Sequence, residues 1–127
     1  MSIVSATAPI TAPQTMRATV FDDFGGPEVL VSREIALPEV RPNDLLVRNA
    51  SIGVNRADLL QRKGAYGRAH FGDGDTLGLE IAGTVIEVGA EVQGFAVGDR
   101  VMGIVGGGSY AELSRIDHRM AMHVPEG

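Results

Sequence analysis

Residues Leu77 to Val101, LGLEIAGTVIEVGAEVQGFAVGDRV, decide the fold. Residues 79–88 make one long strand-favouring run that is interrupted by Gly83, and residues 97–101 lead back into another strand. A glycine inside a long strand is typical of a sharp bend or of a close approach by another backbone, as in a small sheet that curls towards a barrel. The stretch therefore predicts a curved β-barrel, and by itself it indicates little about chemistry.

Short strands separated by turn signals are expected on both sides of this stretch. The predicted strands cover residues 17–21, 29–37, 45–52, 101–105, 109–114 and 122–125, with a helical turn at 117–120. Many short strands favour an all-β barrel over a doubly wound fold. Residues 1–15 are small, polar and proline-containing, so a flexible N-terminal arm is expected there. The remaining residues, 16–127, are the length of a single domain.

One α-helix is predicted, over residues 56–63 (RADLLQRK). Asn55 is well suited to cap its start, and Gly64 is a natural stop. Residues 64–76, GAYGRAHFGDGDT, are too long for a tight connection and are interpreted as a functional or mobile loop.

The composition excludes several classes of function. The chain has no cysteine, so it cannot form disulfides, thiol nucleophiles or iron–sulfur clusters. Its net charge of -5 offers no basic surface for nucleic acid or an anionic membrane. No apolar run approaches the ~20 residues of a membrane span, and the start of the chain does not read as a signal peptide, so a cytoplasmic location is expected.

Four motifs resemble the GroES-like N-terminal domain of the medium-chain dehydrogenase/reductases. They are GVNRADLLQRKGAY (53–66), GLEIAGTVIEVG (78–89), GDRV (98–101) and GGGSYAEL (106–113). The chain is most similar to the NADPH-dependent quinone oxidoreductase, zeta-crystallin-like branch. The resemblance implies a mainly β fold, a GroES-like distorted β-barrel with a few short helices. It also implies hydride transfer from NADPH to a quinone.

The chain departs from the zinc-dependent alcohol dehydrogenases of this superfamily at the metal. Where those enzymes have a cysteine and a histidine, this sequence has Asn55 and Leu79, and their four-cysteine lobe has no counterpart here. Glu80 alone cannot supply three protein ligands, so no zinc is expected. Without a Lewis acid the hydride acceptor must already be activated, as a quinone or a conjugated enone is.

Asn55 and Tyr66 are the site residues that the resemblance implies. Asn55 would place its amide near the nicotinamide, and the same residue can also cap the helix. Tyr66 would line the cleft and hydrogen-bond a quinone oxygen or pack beside the nicotinamide. The alternative is that its ring is buried to hold the loop. Some relatives carry a second tyrosine where this sequence has Leu60, so a mechanism that needs two phenols is not implied.

Three further features are interpreted as structural. Arg56 and Asp58 are expected to be a solvated or domain-bridging pair of charges. The glycines at 106–108 are expected to form a turn, because a strand and not a helix follows them, which excludes a dinucleotide phosphate loop. Met120 and Met122 are interpreted as core packing.

The Rossmann domain that binds the cofactor in the resembling family is absent from the sequence. Its glycine-rich turn between strand and helix does not occur here. The chain is therefore expected to be the catalytic-side domain of a larger reductase and inactive by itself, with NADPH bound mainly by the missing domain. Apolar surface and strand edges left exposed would favour a homodimer or other self-association.

Two alternatives remain open. One is that the parent protein is an enone or alkenal reductase of the same superfamily, since the two activities differ in substrate and not in any feature of this sequence. The other alternative is a stand-alone GroES-like binding or structural module. A ring-forming module would need a mobile loop with a short apolar tripeptide, which residues 64–76 lack.

Overall fold

The chain is mainly β over residues 14–65 and 76–126, which the computed structural model describes. Its strands are β1 (Thr15–Val20), β2 (Val31–Ala36), β3 (Asp44–Ile52), β4 (Glu80–Val88), β5 (Arg100–Ile104), β6 (Leu113–Asp117) and β7 (Ala121–His123). The α-helix in these residues, α1 (Arg56–Lys63), has the bounds that the sequence predicts, and short 3-10 turns cover Pro27–Val29 and His118–Met120. The predicted fold class is confirmed.

Two antiparallel sheets build the curved wall of the domain. β1 and β2 form a hairpin, and the other five strands form a sheet in the order β6-β3-β4-β5-β7. The hairpin joins the edge of the larger sheet through an isolated bridge between Ala18 and Ala111. The Thr19 N–H also donates to the Tyr110 carbonyl oxygen at 2.8 Å. These contacts continue the curl of the larger sheet towards a barrel.

The start of β3 is covered on both faces, which explains its run of buried residues. Leu45 and Val47 point into a core that also contains Ile81, Val85 and Val101. Leu46 points to the opposite face, where it packs with Met16 of the hairpin and Leu113 of β6. Because neighbouring side chains in a strand face opposite sides, only a strand buried on both faces has three consecutive apolar residues inside.

Gly83 lies where β4 meets an irregular part of β3. The pairing register shifts between Asn49 and Ser51, directly opposite Gly83 and Ala82. A Cβ on Gly83 would overlap the carbonyl oxygen of Arg48. The prediction that this glycine permits a close approach by another backbone is confirmed, and the local irregularity bends the sheet.

The predicted strand over residues 109–114 is wrong in its bounds, because β6 begins only at Leu113. The Tyr110 N–H donates to the Leu77 carbonyl oxygen at 2.9 Å, whereas the Tyr110 carbonyl accepts from Thr19. The backbone groups of this segment are thus divided between two different neighbours. A regular ladder with β3 starts where Arg48 pairs with Leu113.

Candidate active site

Asn55 lies in the connection between β3 and α1, at the N-cap position of the helix. Its backbone is extended, and its N–H donates to Asp58 Oδ2 at 3.0 Å in a capping-box arrangement. The Asp58 N–H donates in turn to the Asn55 carbonyl oxygen at 2.9 Å. Gly64 ends the helix with φ of 82°, in the left-handed region that favours glycine. Residues close in sequence therefore place Asn55 at the start of α1.

The side chain of Asn55 contacts Glu80, the first residue of β4. Asn55 Nδ2 donates to Glu80 Oε1 at 3.1 Å. Gly53 permits this contact, because a Cβ on that residue would lie 2.5 Å from Glu80 Oε1. The Gly53 N–H also donates to the Glu80 carbonyl oxygen at 3.1 Å. Sequence reasoning considered Glu80 only as a metal ligand and missed its pairing with Asn55.

An open cleft of about 360 Å³ adjoins this polar pair. It is lined by Ser51, Ile52, Gly53, Glu80, Ile81, Ala82, Met102, Gly103, Ile104 and Met122. Ile104 is 62% exposed and Met122 is 56% exposed. The interpretation of Met120 and Met122 as core residues is wrong, because both are 56% exposed, Met120 in the 3-10 turn and Met122 on the edge strand β7. The cleft thus combines an apolar wall with one polar corner.

A buried carboxylate lies behind the polar corner. Asp58 is 1% exposed, and its Oδ2 accepts from the Tyr110 hydroxyl at 2.8 Å as well as from the Asn55 N–H. Burial raises the pKa of the Tyr110 phenol well above its usual range, and the neighbouring Asp58 carboxylate adds to the rise. The expectation that Arg56 and Asp58 form a solvated charge pair is wrong for Asp58. Residues two apart on a helix do not face each other, and only Asp58 turns inward.

Tyr66, the other predicted site residue, lies outside the described residues, as do most residues of the loop predicted over 64–76. Its role remains a prediction. The glycine tract at 106–108 leads towards β6 and not into a helix, as expected for a turn.

The described residues contain no group of three or more His, Asp or Glu side chains that could hold a metal ion. Leu79 has no ligand atom, and His123 Nε2 lies 3.2 Å from Asp99 Oδ2 in a separate surface contact. The expectation of a zinc-free site therefore still depends on the residue types at positions 55 and 79. In the same ranges no helix is long and apolar enough to cross a membrane.

The model of the alcohol dehydrogenase GroES-like domain matches residues 41–126. The chain belongs to this family. Within it, the GroES-like domain described here is 42% identical to a quinone oxidoreductase of Pseudomonas aeruginosa over 108 residues, which cover 84% of this chain and 33% of that protein. Over the length of this domain it is therefore similar to the quinone oxidoreductases.

Two further comparisons extend this result. The GroES-like domain is 27% identical over 133 residues to an NADPH-dependent alkenal/one oxidoreductase of Arabidopsis thaliana, covering 97% of this chain and 34% of that protein. It superposes with a TM-score of 0.73 and 30% identity on the structure of Escherichia coli quinone oxidoreductase complexed with NADPH, covering 86% of this chain and 33% of that one. The chain thus spans about a third of the length of the relatives it matches.

Proposed function

We propose that the chain is the catalytic-side domain of a zinc-independent, NADPH-dependent reductase that transfers hydride to a quinone. The observation that carries this proposal is the hydrogen bond that the Asn55 carboxamide donates to Glu80, which lines the polar corner of the apolar cleft. A neutral amide beside apolar surface suits a flat, uncharged ring such as nicotinamide or quinone. The kinship with quinone oxidoreductases supports the same activity.

The residues at the corner fit one end of the cofactor. An amide nitrogen carries two hydrogens, and the Glu80 carboxylate engages Asn55 Nδ2 as an acceptor. The second hydrogen remains able to donate to a carbonyl oxygen of the nicotinamide or of the acceptor. NADPH, when bound, supplies the hydride. Asn55 would orient the reacting ring, and Tyr66 is the second residue proposed at the nicotinamide side.

The side chains that stand at the ligand positions of related enzymes support the proposal of zinc independence. A catalytic zinc needs three protein ligands, and Leu79 has none to offer. Glu80, the residue after Leu79, is engaged with Asn55. An acceptor without a Lewis acid must delocalise the added electrons itself, which quinones and conjugated enones do.

An enone or alkenal reductase is the second candidate, and the Arabidopsis relative favours it. Both substrates present a conjugated carbonyl to the same cleft. The described residues that line the cleft contain no positive charge, so neither reading predicts a strongly anionic substrate.

The 127 residues are proposed to bind NADPH weakly by themselves. No described glycine-rich turn leads from a strand into a helix to hold a pyrophosphate. Val54 is 74% exposed and lies next to the corner, and Ile104 is 62% exposed in the cleft. These side chains would be covered by the cofactor domain of the parent protein or, in the isolated chain, by self-association as a dimer.

The test is a titration of NADPH into the 127-residue chain and into the parent polypeptide, followed by assays with 1,4-benzoquinone and an alkenal. We expect tight binding and turnover only in the parent. Asn55→Ala should lower its kcat/KM by about tenfold or more, as the loss of one orienting hydrogen bond implies. Asn43→Ala, in the turn before β3, is the matched asparagine control and should retain activity.

Tight NADPH binding by the short chain, or neither binding nor turnover in the parent, would contradict the proposal. Defined heptamers of the short chain in light scattering would instead favour the stand-alone binding module. Preference for the alkenal over benzoquinone would select the second candidate function.

A further inference from the structure

Tyr110 connects three separate parts of the chain behind the cleft. Its carbonyl oxygen accepts from the Thr19 N–H of β1 at 2.8 Å, and its N–H donates to the Leu77 carbonyl oxygen at 2.9 Å. Its hydroxyl donates to Asp58 of α1 at 2.8 Å. The residue was expected only to continue a strand after the glycine tract, and its side chain has no role in that interpretation.

One of these connections leads directly to Glu80. A Cβ on Gly78 would overlap Ser109 Oγ and would lie only 2.5 Å from Cδ1 of the Tyr110 ring, so both side chains pack against this glycine. Gly78 also has φ of 105°, a backbone conformation that favours glycine. A side chain at position 78 would thus be disfavoured both by the backbone and by the nearby ring. Two residues later the chain reaches Glu80. The aromatic ring, together with Ser109, therefore limits where the segment that carries Glu80 can lie.

The other connection leads to Asn55. The Asp58 carboxylate that accepts from Tyr110 also accepts from the Asn55 N–H through the same oxygen, Oδ2. A carboxylate that is 1% exposed must keep such donors, because an unsatisfied buried charge is costly. Any movement of the N-terminus of α1 would therefore stretch one of the two bonds.

We propose that Tyr110 and Asp58 are positioning residues, which together hold the segments that carry Asn55 and Glu80 at a fixed separation. Neither residue lines the cleft beside that pair. Tyr110 holds the Glu80 segment by packing on Gly78, and it holds the Asn55 segment through Asp58. The role of the Asn55–Glu80 pair in the reaction rests on the proposed reductase function, whereas the geometry that holds the pair does not.

Tyr110→Phe is the decisive variant, because it keeps the ring on Gly78 and removes only the hydroxyl. We expect hydrogen exchange at the Asn55 and Asp58 amides to become roughly fivefold to tenfold faster, as loss of one bond to a buried charge implies. The Asn55 side-chain amide resonances should shift in the same spectra. The Val85 N–H, which donates to the Asp99 carbonyl oxygen in the core sheet, should change much less.

Asp44→Asn is the matched control. Asp44 is also a 1% exposed aspartate with hydrogen bonds to a neighbouring turn, but it lies at the opposite end of β3. Asp44→Asn should leave the ratio of the hydrogen-exchange rates at the Asn55 and Val85 amides unchanged. Asp58→Asn, which keeps an acceptor for Tyr110, should accelerate exchange at the same amides by a smaller factor.

The proposal is overturned if Tyr110→Phe accelerates hydrogen exchange equally at the Asn55 and Val85 amides. It is also overturned if the Asn55 side-chain resonances do not shift. This readout needs neither cofactor nor substrate, so it stands even if the parent protein reduces no quinone. If the parent does turn over, Tyr110→Phe should lower kcat several-fold while the KM for NADPH stays within about twofold, because positioning affects the reacting ring more than cofactor capture. An unchanged kcat would show that the separation of the two segments has no part in the reaction.

Discussion

The Cα of Gly83 in β4 faces the carbonyl oxygen of Arg48 in β3 with no room for a side chain between them. The same place carries the register irregularity of the two strands. The contact is between backbones, so a new methyl group cannot be accommodated by turning a side chain. The bend of the sheet at this place therefore depends on a glycine at position 83.

Gly83→Ala should therefore lower the free energy of unfolding by about 3 kcal/mol or more, at the upper end of overpacking effects. Urea unfolding of the 127-residue chain measures this. Gly94→Ala is the control: its φ is 84° but nothing lies near its Cβ position. That variant should lose only about 1–2 kcal/mol, the cost of a left-handed alanine. Equal losses in the two variants would show that the backbone contact is not the cause.

Gly53→Ala should change the stability of the fold little but should disturb the contact between Asn55 and Glu80. Its Cβ would meet the far end of the Glu80 side chain, which can rotate away. We expect a loss of less than about 1 kcal/mol of stability, since the contact is with a flexible tip. The Asn55 side-chain amide resonances should nevertheless shift, because Glu80 Oε1 can no longer remain 3.1 Å from Asn55 Nδ2.

Glu80→Gln is the comparison for that measurement. It keeps a side-chain oxygen as an acceptor for Asn55 and adds no atom to Gly53. It should change the Asn55 resonances less than Gly53→Ala does. A larger change in Glu80→Gln would show that charge, and not the position of the oxygen, sets the environment of Asn55.

Local signals predicted the parts of the fold that depend on local geometry. The bounds of α1 follow from Asn55 and Gly64, and the irregular sheet follows from Gly83. The strand predicted over residues 109–114 was displaced because the partners of Tyr110 lie at Leu77 and Thr19, which no local pattern relates to it. Backbone pairing of this kind is decided by tertiary packing.

The candidate site was only partly predictable for the same reason. Asn55 was found through the resemblance, whereas its partner Glu80 is 25 residues away and is brought close by the pairing of β3 with β4. Asp58 was expected to form a solvated or domain-bridging pair of charges with Arg56, a neighbour in sequence. The signal that could have corrected this was its position three residues after the N-cap, where an inward carboxylate bonds back to the cap.

Asp117 should give part of the acid sensitivity of the fold. Hydrogen bonding from Arg119 holds the pKa of Asp117 well below its usual value of 3.8. A depressed carboxyl pKa contributes stability that is present above the unfolded pKa and is lost as pH falls through the folded one. The free energy of unfolding should therefore decline below about pH 4, with a shallower decline in Asp117→Asn.

Arg119→Gln tests the cause that is assigned to this effect. It removes the charged donor that bonds Asp117 Oδ1 and Oδ2 at 2.9 and 2.6 Å. Urea unfolding at several pH values should give a flattened acid limb like that of Asp117→Asn. If the stability of Arg119→Gln declined with falling pH as steeply as that of the wild type, the low pKa of Asp117 would be due to another neighbour.

Tyr110 should titrate above the ordinary tyrosine pKa of 10.0, because burial and the Asp58 carboxylate both disfavour its phenolate. A phenol whose folded pKa is raised contributes stability that is present below the unfolded pKa and is lost as pH rises above it. The chain has two tyrosines, so the ultraviolet titration of tyrosinate is made in a Tyr66→Phe background. Asp58→Asn should lower the pKa of Tyr110 but leave it above 10.0, since burial is the larger of the two causes of the raised pKa. A Tyr110 that titrates near 10.0 before any change at Asp58 would mean that its hydroxyl is open to solvent and does not hold the carboxylate.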